Sequence, residues 1–180
     1  MRFENRTAFV TGAGGYIGGT TAQRFALEGA NVAVCDINDE MVQRTVETIR
    51  AAGGRAIGVK ADVTNSASVN AAIAKTVEVF GGVDIMVHAA GGSARGKMAP
   101  LIEQTDDVLE SVLQINLFGA LYASRAAARE MVRQGRGGRI INISSVVALN
   151  GLRGCVDYAA SKGGIIAMTR SLCKELAEYG

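Results

Sequence analysis

TAFVTGAGGYIGGTTAQRFALEGANVAVCD, residues 7–36, decides the fold. Thr7 to Thr11 is a short apolar run with β-branched ends, the pattern of a buried strand. A Gly-rich turn follows, Gly12-Ala13-Gly14-Gly15-Tyr16-Ile17-Gly18-Gly19. Thr20 to Leu27 is predicted as a helix closed by Gly29, and Asn31 to Cys35 as a second strand that ends at Asp36. Strand, glycine turn, helix, strand and acid is the order of a dinucleotide-binding βαβ unit. Glycines let the backbone approach a pyrophosphate, and the helix N-terminus supplies free N–H groups. Gly12, Gly15, Tyr16, Ile17 and Gly18 are therefore the expected phosphate-side contacts. Asp36 sits close to the separation of about 20 residues at which an acid accepts from a ribose diol. A carboxylate there repels a 2′-phosphate, so NAD is expected and NADP is disfavoured.

The alternation continues outward. Asn38 to Ala52 is predicted as a helix, with Asn38 as cap and Gly53-Gly54 as stop. Arg55 to Lys60 reads as a third strand, followed by Asp62 and Val63. An acid just past a strand can hydrogen-bond an adenine edge or cap a turn; both readings stand. Ser66 to Phe80 reads as a helix and Val83 to Val87 as a fourth strand, leading into His88-Ala89-Ala90-Gly91-Gly92. His88 is the only His in the chain. With no second His, neither a His-based metal site nor a Ser-His relay is available, and a structural role is expected for it. Gly91 to Pro100 reads as a polar loop, and Thr105 to Arg133 as one long helical stretch with Asn116 inside it. An Asn between Ile115 and Leu117 costs helix propensity, a local conflict of the kind found at functional sites, although a satisfied Asn is also open. Arg139 to Ser144 reads as a fifth strand, with Ser145 at its carboxyl end, where open α/β sheets place their ligands.

Composition limits the alternatives. At 180 residues, 48% hydrophobic and 20% charged, the chain suits one domain with a substantial core rather than a disordered segment. A net charge of +2 gives no support for a nucleic-acid partner. Arg129, Arg133, Arg136 and Arg139 read as a solvated helix end. No apolar run is long enough to span a bilayer, and no leader peptide is evident. Cys35, Cys155 and Cys173 are widely spaced, so neither a disulfide framework nor a metal site is expected, and a reducing cytoplasm is the default.

The segment from Ser145 to Lys162, SVVALNGLRGCVDYAASK, carries the chemistry. Tyr158 and Lys162 stand four apart and share one face of a predicted helix, with Asp157 as its capping residue. A fixed ammonium beside a phenol favours the phenolate. Taken alone, such a pair is most often an ordinary feature of a helix surface.

Taken together, Thr11-Gly12-x-x-Gly15-x-x-Gly18, Asp36, Asp62-Val63, Ala90-Gly91, Asn116, Ser145 and Tyr158-x-x-x-Lys162 resemble the short-chain dehydrogenase/reductase family, over the whole chain. The resemblance implies an α/β fold of Rossmann type, a doubly wound parallel sheet in the order 3-2-1-4-5. It implies a nicotinamide cofactor and an alcohol or ketone as small-molecule substrate. Tyr158 would be the acid/base, Lys162 would assist it and hold the cofactor's ribose, Ser145 would hold the reacting oxygen, and Asn116 would order a relay water. Asp62, Val63, Ala90 and Gly91 would complete the cofactor site, and dimers or tetramers would be the assembly. The chain departs from the pattern at Tyr16, where a Gly is usual, and at His88-Ala89, where two Asn are usual. Both departures lean toward a longer, sugar-nucleotide-modifying branch with epimerases and dehydratases. The short interval from Ser145 to Tyr158 favours the compact branch that includes 3-oxoacyl reductases. Relatives also continue for two further strands and a substrate-covering loop, so a longer protein is expected. A dinucleotide-binding module without catalysis is the remaining reading.

Overall fold

The computed structural model describes residues 1–180, the side chain of Arg95 excepted. Five strands form one sheet: β1 (Thr7–Thr11), β2 (Asn31–Asp36), β3 (Arg55–Lys60), β4 (Ile85–His88) and β5 (Arg139–Asn142). Their order is β3-β2-β1-β4-β5, and every pairing is parallel. The order predicted from sequence is therefore the one observed. The chain reverses its direction of winding between β1 and β4, which opens a crevice at the carboxyl ends of those strands.

Period-two alternation sorts the strand side chains onto two faces. Ala8, Val10, Val32 and Val34 enter a core against α1 (Tyr16–Leu27) and α2 (Asp39–Ala51). Phe9, Ala33, Cys35 and Met86 enter the other core, against α3 (Ser66–Phe80) and the later α5 (Gly119–Gln134). Local signals set the helix ends. The Asn38 side chain accepts from the Met41 N–H at 3.1 Å, and Asn65 accepts from Ala67 and Ser68. Gly81 ends α3 in the left-handed conformation that Gly tolerates best, at φ 80°.

Several boundaries differ from the sequence reading. α1 begins at Tyr16 rather than Thr20, so the second half of the glycine turn already belongs to the helix. β4 runs from Ile85 to His88, which puts His88 inside the strand in register with Thr11. β5 ends at Asn142, two residues before the expected limit. The expected loop at 91–100 holds a short 3-10 turn, Arg95–Lys97, and a second follows at Leu101–Glu103. The long helix is α4 (Asp106–Leu113), a π turn (Gln114–Phe118) and α5. A four-residue helix, α6 (Val147–Asn150), precedes α7 (Val156–Glu175) and was not expected. α7 starts ahead of Tyr158 because Asp157 lies inside its first turn, accepting from the Tyr158 N–H at 2.7 Å, rather than at its cap. Among the described residues, no helix is long and apolar enough to cross a membrane.

The arginine cluster is less solvated than expected. Arg136 Nε donates to buried Asp84 at 2.9 Å, and Arg6 reaches the same carboxylate at 3.2 Å. Asp84 also accepts from the Thr7 N–H at 2.9 Å, so it clamps the amino end of β1. These bonds outweigh burial and hold its carboxyl below the usual carboxylate range.

Candidate functional site

A cleft of about 400 Å³ opens at the carboxyl ends of β1, β2 and β4. Gly12, Gly15, Tyr16, Ile17, Gly18, Asp36, Asp62, Val63, Ala90 and Gly91 all line it. Ten residues singled out along the sequence thus share one wall. The cleft is made by close backbone approach. A Cβ on Gly18 would lie 2.2 Å from the Gly12 carbonyl oxygen. One on Gly12 would lie 2.6 Å from the Ala90 nitrogen, and Gly12 also adopts φ +64°. The wall also needs Gly14, which the sequence reading left out. A Cβ there would stand 3.1 Å from an Asp36 carboxylate oxygen, and the Gly14 N–H donates to that same oxygen at 3.1 Å. The second Asp36 oxygen accepts from the Asn38 N–H at 3.1 Å. Asp36 is thereby aimed by backbone donors, and among the described residues no Lys or Arg lines the cleft. Asp62 takes the turn-cap role of its two sequence readings. One oxygen caps a turn, accepting from the Thr64 N–H at 2.8 Å and the Thr64 hydroxyl at 2.7 Å, while the residue also faces the cleft.

Asn116 resolves its own conflict. It is fully buried, and its amide donates to the Val112 carbonyl at 2.8 Å. That is the carbonyl an unbroken α-helix would pair with the Asn116 backbone N–H. The π turn displaces the backbone partner and the side chain replaces it, a recurrent use of π turns at functional sites. The other amide hydrogen goes to the Gly92 carbonyl at 2.8 Å, and Oδ1 accepts from the Gly92 N–H at 3.1 Å. Asn116 therefore clamps the Gly91-Gly92 turn onto the helix. Both of its donors are committed, and Oδ1 keeps one lone pair.

Lys162 is buried, and its Nζ donates to the Ile143 carbonyl at 2.9 Å. Nζ stands 5.7 Å from the centroid of the Tyr158 ring. A Cβ on Gly91 would reach within 3.5 Å of Nζ and collide with Asn116 Oδ1. Gly91, Asn116, Tyr158 and Lys162 thus meet at one end of the cleft. Burial pushes the Lys162 ammonium down to about 8. Ser144, which the sequence reading passed over, anchors this helix: its hydroxyl donates to the Lys162 carbonyl at 2.8 Å. Its place beside Ser145, just past β5, was the available signal. Ser145 and Tyr158 are only half-buried. The Ser145 Oγ accepts from the Val147 N–H at 3.2 Å, which leaves its O–H free to donate outward.

His88 fills the position behind this site. It is wholly buried, with Nδ1 2.9 Å from the Thr11 hydroxyl. That hydroxyl also accepts from the Ala90 N–H at 3.3 Å. His88 ties β4 to β1 and supports the turn at Ala90-Gly91, the structural role expected for it. Nε2 has no partner. Burial foremost, and then the charge of Lys162, push its pKa down to about 3. Cys35, Cys155 and Cys173 are all free thiols, and burial pushes Cys35 up to about 12.

A family model described as short chain dehydrogenase matches residues 6–180. The chain belongs to the short-chain dehydrogenase family. It is 44% identical over 177 residues to short-chain reductase protein NovJ of Streptomyces niveus, which covers 98% of this chain and 66% of that relative. Its fold superposes on the crystal structure of NAD+-bound xylitol dehydrogenase with a TM-score of 0.96, at 34% identity, covering 100% of this chain and 68% of the other. A 7α-hydroxysteroid dehydrogenase complexed with NADH and 7-oxo glycochenodeoxycholic acid gives 0.93 at 31% identity, covering 99% and 68%. The chain of this short-chain dehydrogenase spans about two thirds of the length of these relatives.

Proposed function

We propose that this short-chain dehydrogenase is an NAD(H)-dependent oxidoreductase that interconverts a secondary alcohol and its ketone. One observation carries the reading: Gly91 lines the glycine-walled cleft and also stands against Lys162 Nζ, which faces the Tyr158 ring. Cofactor cleft and acid/base pair are thereby continuous. The residues fit a dinucleotide. Gly12, Gly15 and Gly18 permit backbone approach, the start of α1 offers N–H groups to a pyrophosphate, and Asp36 offers a carboxylate to a ribose diol. Asp62 and Val63 would flank the adenine, and Ala90 and Gly91 would carry the path toward the nicotinamide. When bound, the nicotinamide supplies or accepts the hydride.

This chain's own residues handle the proton. Tyr158 takes the hydroxyl proton of the alcohol in oxidation and returns it to the ketone oxygen in reduction. Ser145 donates its free O–H to that same oxygen. Lys162 stands beside the Tyr158 ring and would hold the cofactor's ribose. Asn116 would order the relay water, and since both its amide hydrogens are committed, that water must donate to the remaining lone pair on Oδ1. The fixed Asp36 carboxylate, and the lack of Lys or Arg lining the cleft among the described residues, support NAD over NADP. Exposed Phe118 and Leu121 on the outer helices support a homo-oligomer, a dimer or tetramer, and the three free thiols support a reducing cytoplasm.

Tyr158→Phe in the full-length protein tests the chemistry. NADH affinity should hold within a few-fold while turnover falls by about 10²–10⁴-fold. Near-parental turnover by the variant would end the proposal. NADH binding without turnover on a broad panel of secondary alcohols would favour the non-catalytic binding module.

A further inference from the structure

Tyr16 stands where the family's pattern has a Gly, and its side chain lines the glycine-walled cleft while remaining 90% exposed. It is the first residue of α1. The Cα–Cβ bonds of a helix tilt toward its N-terminus, so the Tyr16 side chain leans past the start of α1. That is the side on which a helix N-terminus receives a phosphate.

The cleft is poor in donors for such an anion. Two carboxylates, Asp36 and Asp62, line it. The backbone of the glycine turn is largely committed. The Ala13 N–H donates to the Cys35 carbonyl at 3.0 Å, the Gly14 N–H to Asp36 at 3.1 Å and the Gly15 N–H to the Gly12 carbonyl at 3.0 Å. The helix ladder begins with the Gly19 N–H on the Gly15 carbonyl at 2.8 Å, which leaves the first-turn N–H groups of Tyr16, Ile17 and Gly18 without intrahelical partners. Among the described residues lining the cleft, the Tyr16 phenol is the sole side-chain hydrogen-bond donor, since the others are Gly, Ala, Val, Ile and ionised Asp.

We propose that the Tyr16 side chain closes over the bound dinucleotide and donates its O–H to a pyrophosphate oxygen. The proposal rests on the dinucleotide reading of this cleft and adds a side-chain clasp where a Gly would leave the pyrophosphate to backbone donors. A hydrogen bond to a charged acceptor is stronger than one between neutral groups. The cleft stays open until the ring closes, so the clasp acts on release of the cofactor more than on its entry.

The test uses the full-length protein and three ligands: NADH, ADP-ribose and adenosine. The first two carry the pyrophosphate, and adenosine carries the same base and diol without it. Tyr16→Phe keeps the ring and removes the O–H. It should weaken NADH and ADP-ribose about tenfold by titration and raise the NADH off-rate by a similar factor in stopped flow. Adenosine affinity should hold within about twofold. The residue is exposed, so Tm should not change. Unchanged NADH and ADP-ribose affinity in Tyr16→Phe overturns the proposal. An equal loss for adenosine also overturns it, since the side chain then acts on the nucleoside. A parent that binds neither NADH nor ADP-ribose at millimolar concentration sinks the clasp together with the dinucleotide reading. If the parent binds NADH but turns over no alcohol, the oxidoreductase reading fails by itself, and the binding comparison still decides the clasp.

Discussion

His88 should make the fold acid-sensitive in a pH range where no other side chain of this protein ordinarily titrates. The imidazole is fully buried, bonded through Nδ1 to Thr11, and lacks a partner at Nε2. Its pKa falls from 6.5 to about 3, chiefly through burial and secondly through Lys162. Because the folded value is depressed, the unfolded chain binds the proton more readily. Stability is fully present above about 6.5 and is lost as pH falls from there toward about 3. Each pH unit in that interval costs about 1.4 kcal/mol, so pH 5 removes on the order of 2 kcal/mol. For a chain of this size, that is a fall in Tm of roughly 4–8 °C. Since His88 is the single His, the window from pH 7 to 5 isolates it, before the carboxylates titrate. Thermal unfolding followed by far-UV circular dichroism at half-unit steps measures the fall. His88→Asn keeps a hydrogen-bonding group for Thr11 and removes the titration, so its Tm should be nearly flat over the same window. Parallel pH curves for parent and variant would refute the reasoning, as would an imidazole Cε1 proton resonance that titrates near pH 6.5 in the folded protein.

Three other substitutions report on the site. Asp36→Ala should narrow the preference for NADH over NADPH by at least about tenfold, read by fluorescence titration of both cofactors, since it removes the carboxylate that a 2′-phosphate would meet. Equal binding of the two by the parent would contradict the role given to Asp36. Gly12→Ala places a Cβ 2.6 Å from the Ala90 nitrogen at φ +64°, so stability should fall by about 1–3 kcal/mol and NADH affinity with it, measured by urea unfolding and titration. Lys162→Met should abolish turnover and weaken NADH binding, yet its Tm at pH 7 should be no lower than the parent's. The ammonium's pKa falls from 10.5 to about 8 by burial, so the folded state bears a charging cost at all pH below about 8, and parent stability should rise between about 8 and 10.5. A large loss of stability in Lys162→Met would show that the bond to the Ile143 carbonyl outweighs that cost.

The sequence alone determined the alternation, because that follows from short-range signals; the strand order was implied by the family resemblance. Apolar runs bounded by Gly, and Asn38 as a cap, act on neighbouring backbone. The glycine wall and Asp36 were legible for the same reason, since both lie within one βαβ unit. Long-range contacts were decided only by the tertiary structure. That the Asn116 side chain can be buried in a π turn depends on Gly92, far back along the chain, bonding its second amide hydrogen and its oxygen. That His88 is neutral depends on burial against Thr11 and on Lys162, residues from two other elements. Arg136 reads as a surface charge until Asp84 is found beneath it, and Lys162 reads as a free ammonium until the Ile143 carbonyl is. Propensity and spacing report what a residue does to its neighbours along the chain. Burial, and with it the charge state of each group at this site, is set by what packs against it from elsewhere.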